Sequence, residues 1–556
     1  RIGSVKSNIG HLKSASGAAS CIKAALSLHN QVFPPSLNFK NARSDVPFDK
    51  VPLQVQTHAE PWPAGNIRRV GVSAFGFGGT NFHVVLEEDH GGALSSEAPA
   101  SAPPVAVLPA LKDQPLPHAV WGVSAMDRAG LIGALLGADR APFDPSAPVR
   151  LAAAAPDEKT RTEQIERALK VLQKNGSTDM LRGRGIYVED APNDGKVAFL
   201  FTGQGSQYIG MGLDLAELYP VVAATFDEAD EVMASELGRP LRDFIRRNPE
   251  LSEEDQFERL RDTEISQPAT LTVDIAIMRL LAAHGVFPDM VAGHSLGEYA
   301  AAVAAGILSF RDALLAVSAR GREMASVQIE DKGRMAGIAA NVDKVLEVLA
   351  EVPGYVVPAN KNCATQTVIA GASGPVEAAI EAFVSRGITV YPLPVSHAFH
   401  SSIVAPASAP LKKVLERLDI QPPRRPITTN VTSRYYPTGE GAREQIIETL
   451  AKQVAAPVEW IAQIERMYAD GVRIFVECGP KRALSGFVTS ILKRRPHRAI
   501  YTNHPKHGGL ASFQDALAAL TSLGFDIKAT PDTEVPDLFQ EAKARLATSE
   551  SMRKWS

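Results

Sequence analysis

Cysteine is scarce in this sequence: Cys21, Cys363 and Cys478 are the only three, far apart and without a paired spacing. That pattern offers neither a disulfide framework nor a cysteine-based metal site, and a reducing cytoplasm is the expected setting. Long apolar runs are missing too. Stretches such as Val197–Phe201 and Ala300–Ala305 fall far short of the roughly 20 residues a membrane span requires, so no segment is expected to cross a bilayer. An excess of basic charge is also absent, because 58 Lys and Arg face 62 Asp and Glu for a formal net charge of −4. Such a chain has no surplus of cations to neutralise a phosphate backbone, which argues against nucleic acid as a partner. The start carries no Met and no signal-peptide pattern; the chain opens at Arg1 within an apolar and glycine-containing stretch, as a portion of a longer protein would.

What is present is the balance of a folded protein in water, with 45% hydrophobic and 22% charged residues. At 556 residues the chain exceeds what one core organises, so several domains are expected. After a first unit at 1–90, residues 91–117 are rich in Ala, Pro and Ser and read as an extended connector. Ala119–Ser124 reads as a strand, Asp127–Leu136 and Glu158–Gln173 as helices and Gly185–Val188 as a strand, which makes a small α/β unit over 118–195. The buried-strand run Lys196–Phe201 opens the largest domain, over 196–500. Within it, about 331–395 reads as strand, helix, strand, strand, helix, strand, the order of a ferredoxin-like subdomain, with Ser373 and Pro375 opening its second helix as N-cap and first-turn proline. The tail at 501–556, with a charged helical stretch at 535–546, reads as a linker.

The chemistry concentrates in a few motifs. Gly293-His294-Ser295-Leu296-Gly297 lies between a short apolar strand and an Ala-rich helix. Glycines flank a serine in this way where a sharp turn must push the hydroxyl into the open, and the following helix aims free N–H groups at an oxyanion. A glycine-bounded turn with an incidental serine is the plainer alternative. A serine hydroxyl needs a base in reach. His294 adjoins it but leaves the turn in another direction, so a pocket-shaping role suits it better. His397 and His400, in Val395–Ser401 where the small subdomain returns to the large one, are the other candidates, and spacing does not choose between them. The loop Gly203-Gln204-Gly205-Ser206-Gln207 follows a strand and lacks the Lys-Ser or Lys-Thr of a nucleotide-phosphate loop, which leaves an oxyanion donor or a plain turn. On the helix after Ser309, Arg320 shares an apolar stripe with Ala313, Val317 and Met324. A charge there needs an anionic partner, either an acidic side chain or the carboxylate of a substrate.

Together these residues resemble the acyltransferase domain of type I polyketide synthases and the bacterial malonyl-CoA:acyl-carrier-protein transacylase, over 196–500. The resemblance implies an α/β-hydrolase-like core, with Ser295 as nucleophile and His400 as base. It implies an oxyanion hole from the backbone amides of Gln204 and Leu296, and Arg320 bound to the free carboxylate of a malonyl group. Gln453, in Leu450–Trp460, would orient the histidine through its main-chain carbonyl. His397-Ala398-Phe399-His400 is similar to the quartet of malonyl-selective domains, with Phe399 filling the space of a methyl branch. No metal and no bound cofactor are implied; malonyl-CoA is the substrate and the phosphopantetheine of an acyl carrier protein the acceptor. Residues 1–90, with Val5–His11 and Gly71–Asn81, resemble the C-terminal end of a thiolase-like ketosynthase, in which Lys6 and His11 match site residues but no nucleophilic cysteine is matched. Cys21 reads as packing. Residues 118–190 resemble the linker domain that follows it, and the rest of a parent synthase is the implied partner. The stretch Thr502-Asn-His-Pro-Lys-His-Gly-Gly509 departs from modular synthases and is closer to iterative enediyne or polyunsaturated-fatty-acid types. The rival readings are a serine acyl hydrolase, which has no reason to hold a carboxylate at Arg320, and an inert docking segment.

Overall fold

The computed structural model describes residues 1–12, 15–39, 52–63, 67–75, 81–88, 119–137, 142–191, 195–393, 395 and 397–531. The connector expected at 91–117 and the charged stretch at 535–546 lie outside the described residues. The chain divides into two units, Arg1–Pro109 and Ala110–Ser556. Among the described residues no helix is long and apolar enough to cross a membrane.

In the first unit the helix Ser16–Asn30 packs on an antiparallel pair, Arg69–Phe75 with Asn81–Glu87. Strand periodicity turns Val70, Val72 and Ala74 inward and their neighbours outward. The pair ends with Phe75 and Phe82 exposed by 80% and 69%.

The second unit begins with a three-stranded antiparallel sheet of Ala119–Ala125, Val149–Ala155 and Ile186–Glu189. Two helices, Arg128–Leu135 and Glu158–Gln173, start where the side chains of Asp127 and Asp157 accept the N–H of Gly130 and Thr160, each at 2.7 Å. They share a core with Trp121, Leu151 and Ala153. The opposite face, with Val120 and Tyr187, packs against a helix from far along the chain, Gly509–Ser522. The expected linker thus contains a packed helix. Phe513, Leu517 and Leu520 are buried, Tyr187 donates to Asp515 at 2.6 Å, and buried Arg150 donates to the Ser522 carbonyl at 2.8 Å. A helix with so much apolar surface has to cover something, and this sheet is what it covers.

The main sheet is parallel, in the order Arg498–Tyr501, Val472–Cys478, Lys196–Phe201, Met290–Gly293. Val472–Cys478, Lys196–Phe201 and Met290–Gly293 are almost wholly buried, as near-continuous apolar runs covered by helices on both faces must be. Thr263–Ala283, Gly297–Ala305 and Phe310–Ala325 carry the larger core, while Trp460, Ile464 and Val488 belong to the cluster on the other side.

Arg334–Ile338, Val342–Leu349, Val356–Cys363, Gln366–Gly371, Ser373–Ser385 and Val390–Leu393 follow as strand, helix, strand, strand, helix, strand. All neighbouring strands are antiparallel, in the order second, third, first, fourth. Ser373 is not the N-cap of the second helix. It is the first helical residue, and its N–H and hydroxyl both donate to Asp331, at 2.8 and 2.6 Å. That carboxylate reaches the helix start across the fold and does the work expected of the serine.

Candidate active site

The strand Met290–Gly293 ends in a turn so tight that a Cβ on Gly293 would lie 1.9 Å from the Gly297 carbonyl oxygen, and one on Gly297 2.2 Å from that of Phe201. Only glycine tolerates either approach. Between them Ser295 takes φ +52°, the left-handed region that L-residues seldom enter. His400 does the same at +59°. Strain of this kind persists only where the surroundings over-determine it, and here they do. Asn430 ties down the turn from both sides: its Nδ2 donates to the Gly293 carbonyl and its Oδ1 accepts the Ser295 N–H, each at 2.7 Å.

The outcome is a hydroxyl and an imidazole in contact, with Ser295 Oγ 2.6 Å from His400 Nε2. On its other edge, Nδ1 of His400 faces the carbonyl oxygens of Ala456 at 3.0 Å and Gln453 at 3.2 Å. Two acceptors at Nδ1 require the proton there, which leaves Nε2 with a lone pair for the serine proton. Burial, and then the charge of Arg320, push the His400 pKa down to about 3, so the ring is neutral at physiological pH. Among the described residues, neither the N–H of Gln204 nor that of Leu296 has a hydrogen-bond partner. Two such amides beside a nucleophile can receive negative charge developing on an acyl oxygen.

Arg320 lies 1% exposed on Phe310–Ala325, whose first turn is capped by Ser309 accepting from the Asp312 N–H at 3.0 Å. Its guanidinium donates to the side-chain oxygens of Gln267 at 2.9 Å and Gln453 at 3.2 Å. Among the described residues no carboxylate pairs with it, and Nε is buried without a partner. Burial lowers its pKa. Gln453 is the hub of the site: its Nε2 also donates to the Ser295 carbonyl at 2.5 Å and to Glu298 at 3.0 Å. Glu298 accepts from Tyr436 and from the Asn430 N–H as well, and burial still pushes its pKa up to about 7.

Ser295, His400, Arg320, Gln204 and Phe399 line one cleft of about 1470 Å³, whose far wall is the antiparallel subdomain through residues such as Asn362 and Val368. His294 lines it too, its Nε2 donating to Asn362 Oδ1 at 2.8 Å and its ring packed edge-on against Trp460. His397 is buried 6.4 Å from the Phe399 ring, ring to ring, and is not among the lining residues. Among the described residues no group of three or more His, Cys, Asp or Glu is arranged to hold a metal ion. The expected residues Lys6 and His11 belong to the first unit, where His11 sits 3.3 Å from the Ser16 hydroxyl. Cys21 lies half-buried on the helix Ser16–Asn30.

Sequence reasoning missed Asn430, Gln267, Glu298 and Asn362. Glu298 stands three residues after Ser295 at the start of a helix, a spacing that could have flagged it. For Asn430 no local signal exists. Ile427 forms a parallel bridge with Val291, and only that pairing brings residue 430 to the turn.

The chain is similar to several known proteins. Residues 198–524 match the acyl transferase domain family, residues 1–40 the C-terminal domain of β-ketoacyl synthases and residues 43–126 the ketoacyl-synthetase C-terminal extension. Polyketide synthase GfsB of Streptomyces halstedii is 35% identical over 500 residues, covering 87% of this chain and 8% of its own. The phenolphthiocerol synthesis polyketide synthase Pks15/1 of Mycobacterium marinum is 32% identical, with 95% of this chain and 24% of its own covered. The chain thus spans a small part of these relatives. Among solved structures, malonyl CoA-acyl carrier protein transacylase from Clostridium perfringens aligns with TM-score 0.52 and 33% identity, over 58% of this chain and 97% of that one. A malonyl-transacylase in complex with a type II acyl-carrier protein aligns with TM-score 0.51 and 34% identity, over 58% and 99%.

Proposed function

This chain belongs to the acyl transferase domain family, and from that premise we propose that it carries a malonyl group from coenzyme A, through an ester on Ser295, to the phosphopantetheine thiol of an acyl carrier protein. His400 takes the serine proton as Oγ attacks the thioester carbonyl. The N–H groups of Gln204 and Leu296 hold the oxyanion, and the coenzyme thiolate leaves with the proton from His400. The carrier thiol then gives its proton to His400, attacks the ester and releases Ser295. Main-chain carbonyls at Gln453 and Ala456 do the orienting that an acidic third residue does elsewhere. These steps use only side chains and amides of this chain and the two thiol carriers.

The observation that carries the substrate class is Arg320: a buried guanidinium on the wall of the cleft that holds Ser295, hydrogen-bonded among the described residues to two neutral amides, with Glu298 acting on it only through space. Burying an unpaired cation is costly, and a malonyl carboxylate supplies the missing partner in bidentate form. A serine acyl hydrolase would gain nothing from that charge, and an inert docking segment would not need the strained Ser295 and His400. Phe399 supports selection of malonyl over branched extender units, because it occupies the cleft wall beside His400. Mass spectrometry of the intact protein mixed with several acyl-CoAs tests the reading. A malonyl-sized adduct should form on the wild type and vanish entirely in Ser295→Ala without loss of fold. An adduct that persists in that variant defeats it.

The finer architecture is part of the same reading. The strand order of residues 334–393 supports a ferredoxin-like subdomain inserted at about 331–395 in an α/β-hydrolase-like core. The matches at 1–40 and 43–126 support a partial, thiolase-like ketosynthase followed by its linker domain to about residue 195. The parent is then a multidomain polyketide or related fatty-acid synthase acting in the cytoplasm, with neither membrane nor nucleic acid as partner.

A further inference from the structure

Positive charge gathers at one place beside the cleft. Lys481 and Arg482 lead into the helix Ala483–Ile491, and the loop after Tyr501 brings His504, Lys506 and His507 next to them. His504 feels the charges of Arg482, His507, Lys506 and Lys481, and its ring lies 5.4 Å from that of His507 and 5.9 Å from that of Tyr501, over which Arg482 sits at 5.9 Å. Among the described residues none of these five groups is in an ion pair. Two acids lie near the loop: Asp515 accepts from Tyr187 at 2.6 Å and also feels His507, and Asp214 accepts the N–H of Gly509 at 2.7 Å.

The loop is anchored, since Tyr208 donates to Asn503 at 2.5 Å. Lys481 joins the cluster to the cleft. It lines the same cavity as Ser295, donates to the Gly205 carbonyl at 2.9 Å and is held at φ +70°, a left-handed conformation a lysine adopts only when its position is enforced. Three cations, Lys481, Arg482 and Lys506, with two imidazoles able to donate hydrogen bonds beside them, lead into a thioester site and suit an anion of several charges. We propose that Lys481, Arg482, His504, Lys506 and His507 form a rim that binds the 3′-phosphate and diphosphate of the coenzyme A thioester while its acyl end lies at Ser295. The inference rests on the acyl-transfer reading above. Coenzyme A suits the rim better than the carrier's phosphopantetheine, because a terminal phosphate alone carries roughly −1.5 to −2 charge at pH 7 and the coenzyme adds a diphosphate, whereas the carrier arm has a single phosphodiester.

The test replaces the exposed members together, Arg482→Ala, His504→Ala, Lys506→Ala and His507→Ala, and compares acylation of Ser295 by malonyl-CoA, by malonyl-3′-dephospho-CoA and by malonyl-N-acetylcysteamine, which has no phosphate. In the variant the ratio of kcat/KM for malonyl-CoA to that for the short thioester should fall about 10- to 100-fold, mostly through KM. Dephospho-CoA should fall between, and the salt dependence of malonyl-CoA loading should flatten. Equal losses on all three thioesters, or no loss on any, overturn the proposal. So does a loss confined to transfer onto the holo carrier protein, which would give the rim to the carrier. If wild type fails to acylate even with the short thioester, the fault lies with the reading of Ser295 and not with the rim.

Discussion

The two units of this chain carry comparable densities of motif and very different degrees of closure. In Ala110–Ser556 the helix Thr263–Ala283 buries 19 of its 21 residues; in Arg1–Pro109 the helix Ser16–Asn30 buries four of 15. The main parallel sheet is covered on both faces, whereas the pair Arg69–Phe75 and Asn81–Glu87 leaves Phe75, Phe82 and Val85 largely exposed. Beyond that helix and pair, the described elements of this unit are the four-residue helix Lys6–Ile9 and the two-residue strands Val32–Phe33 and Glu60–Pro61, and apolar surface of that extent is what further strands or chains cover. The contrast teaches that a motif becomes a site only inside a closed core. Lys6 and His11 stand in the open unit, His11 beside the Ser16 hydroxyl, while Ser295, His400 and Arg320 converge on one cleft of the closed unit.

The sharpest way to break that comparison is to make one truncation in both units. Phe199→Ala, at a fully buried position of the main sheet, should destabilise the second unit by about 3–5 kcal/mol. Phe75→Ala should change stability by no more than about 0.5 kcal/mol and should reduce the binding of a hydrophobic dye. Chemical unfolding of both variants reads this, and equal costs would mean that the first unit has a core of its own.

Arg320→Ala probes function within the closed unit. Malonyl loading should fall by about 2–5 kcal/mol in activation free energy, while acetyl-CoA loads as well as before or better. Side-by-side acylation rates decide it; parallel losses would make Arg320 a structural residue. Asn430→Ala should cost less, about 1–3 kcal/mol of stability, because it strands the Ser295 N–H and the Gly293 carbonyl. The signature to look for in single-turnover acylation is a slowed chemical step with little change in apparent substrate affinity.

A further effect is set by pH. His400 is held at about 3, below its ordinary 6.5, so between those values the unfolded chain binds a proton that the folded chain refuses. The stability contributed by the neutral ring is therefore fully present above about 6.5 and is lost as pH falls towards 3. Glu298 and Glu477, both raised to about 7, act with the opposite sign between 4.5 and 7. The readable quantity is the difference: in unfolding measured from pH 7 down to 4, His400→Ala should lose less stability than wild type. An identical pH slope would show that the ring is not buried as a neutral group.

Much of this was legible beforehand, and the reason is locality. The strand, turn and helix around Ser295, the capping of Phe310–Ala325 and the six-element order of residues 334–393 all follow from periodicity, glycine placement and caps within a few residues of each other. The role of Ser373 was misread because Asp331, 42 residues away, reaches the helix start first. Where Gly509–Ser522 would pack was not legible, because its composition is ordinary and only the face of a sheet more than 300 residues earlier explains its burial.

The sequence by itself determined where a serine would be thrust out of a turn, and that an arginine would sit on an apolar stripe, because steric exclusion at glycine and helical periodicity act along the chain. Which histidine meets that serine, which amides hold the arginine, and that Gln453 joins Ser295, Glu298 and Arg320 in one network were decided only by tertiary structure. Hydrogen bonds at about 3 Å between groups more than 50 residues apart depend on how strands register and helices stack, and nothing local encodes that register.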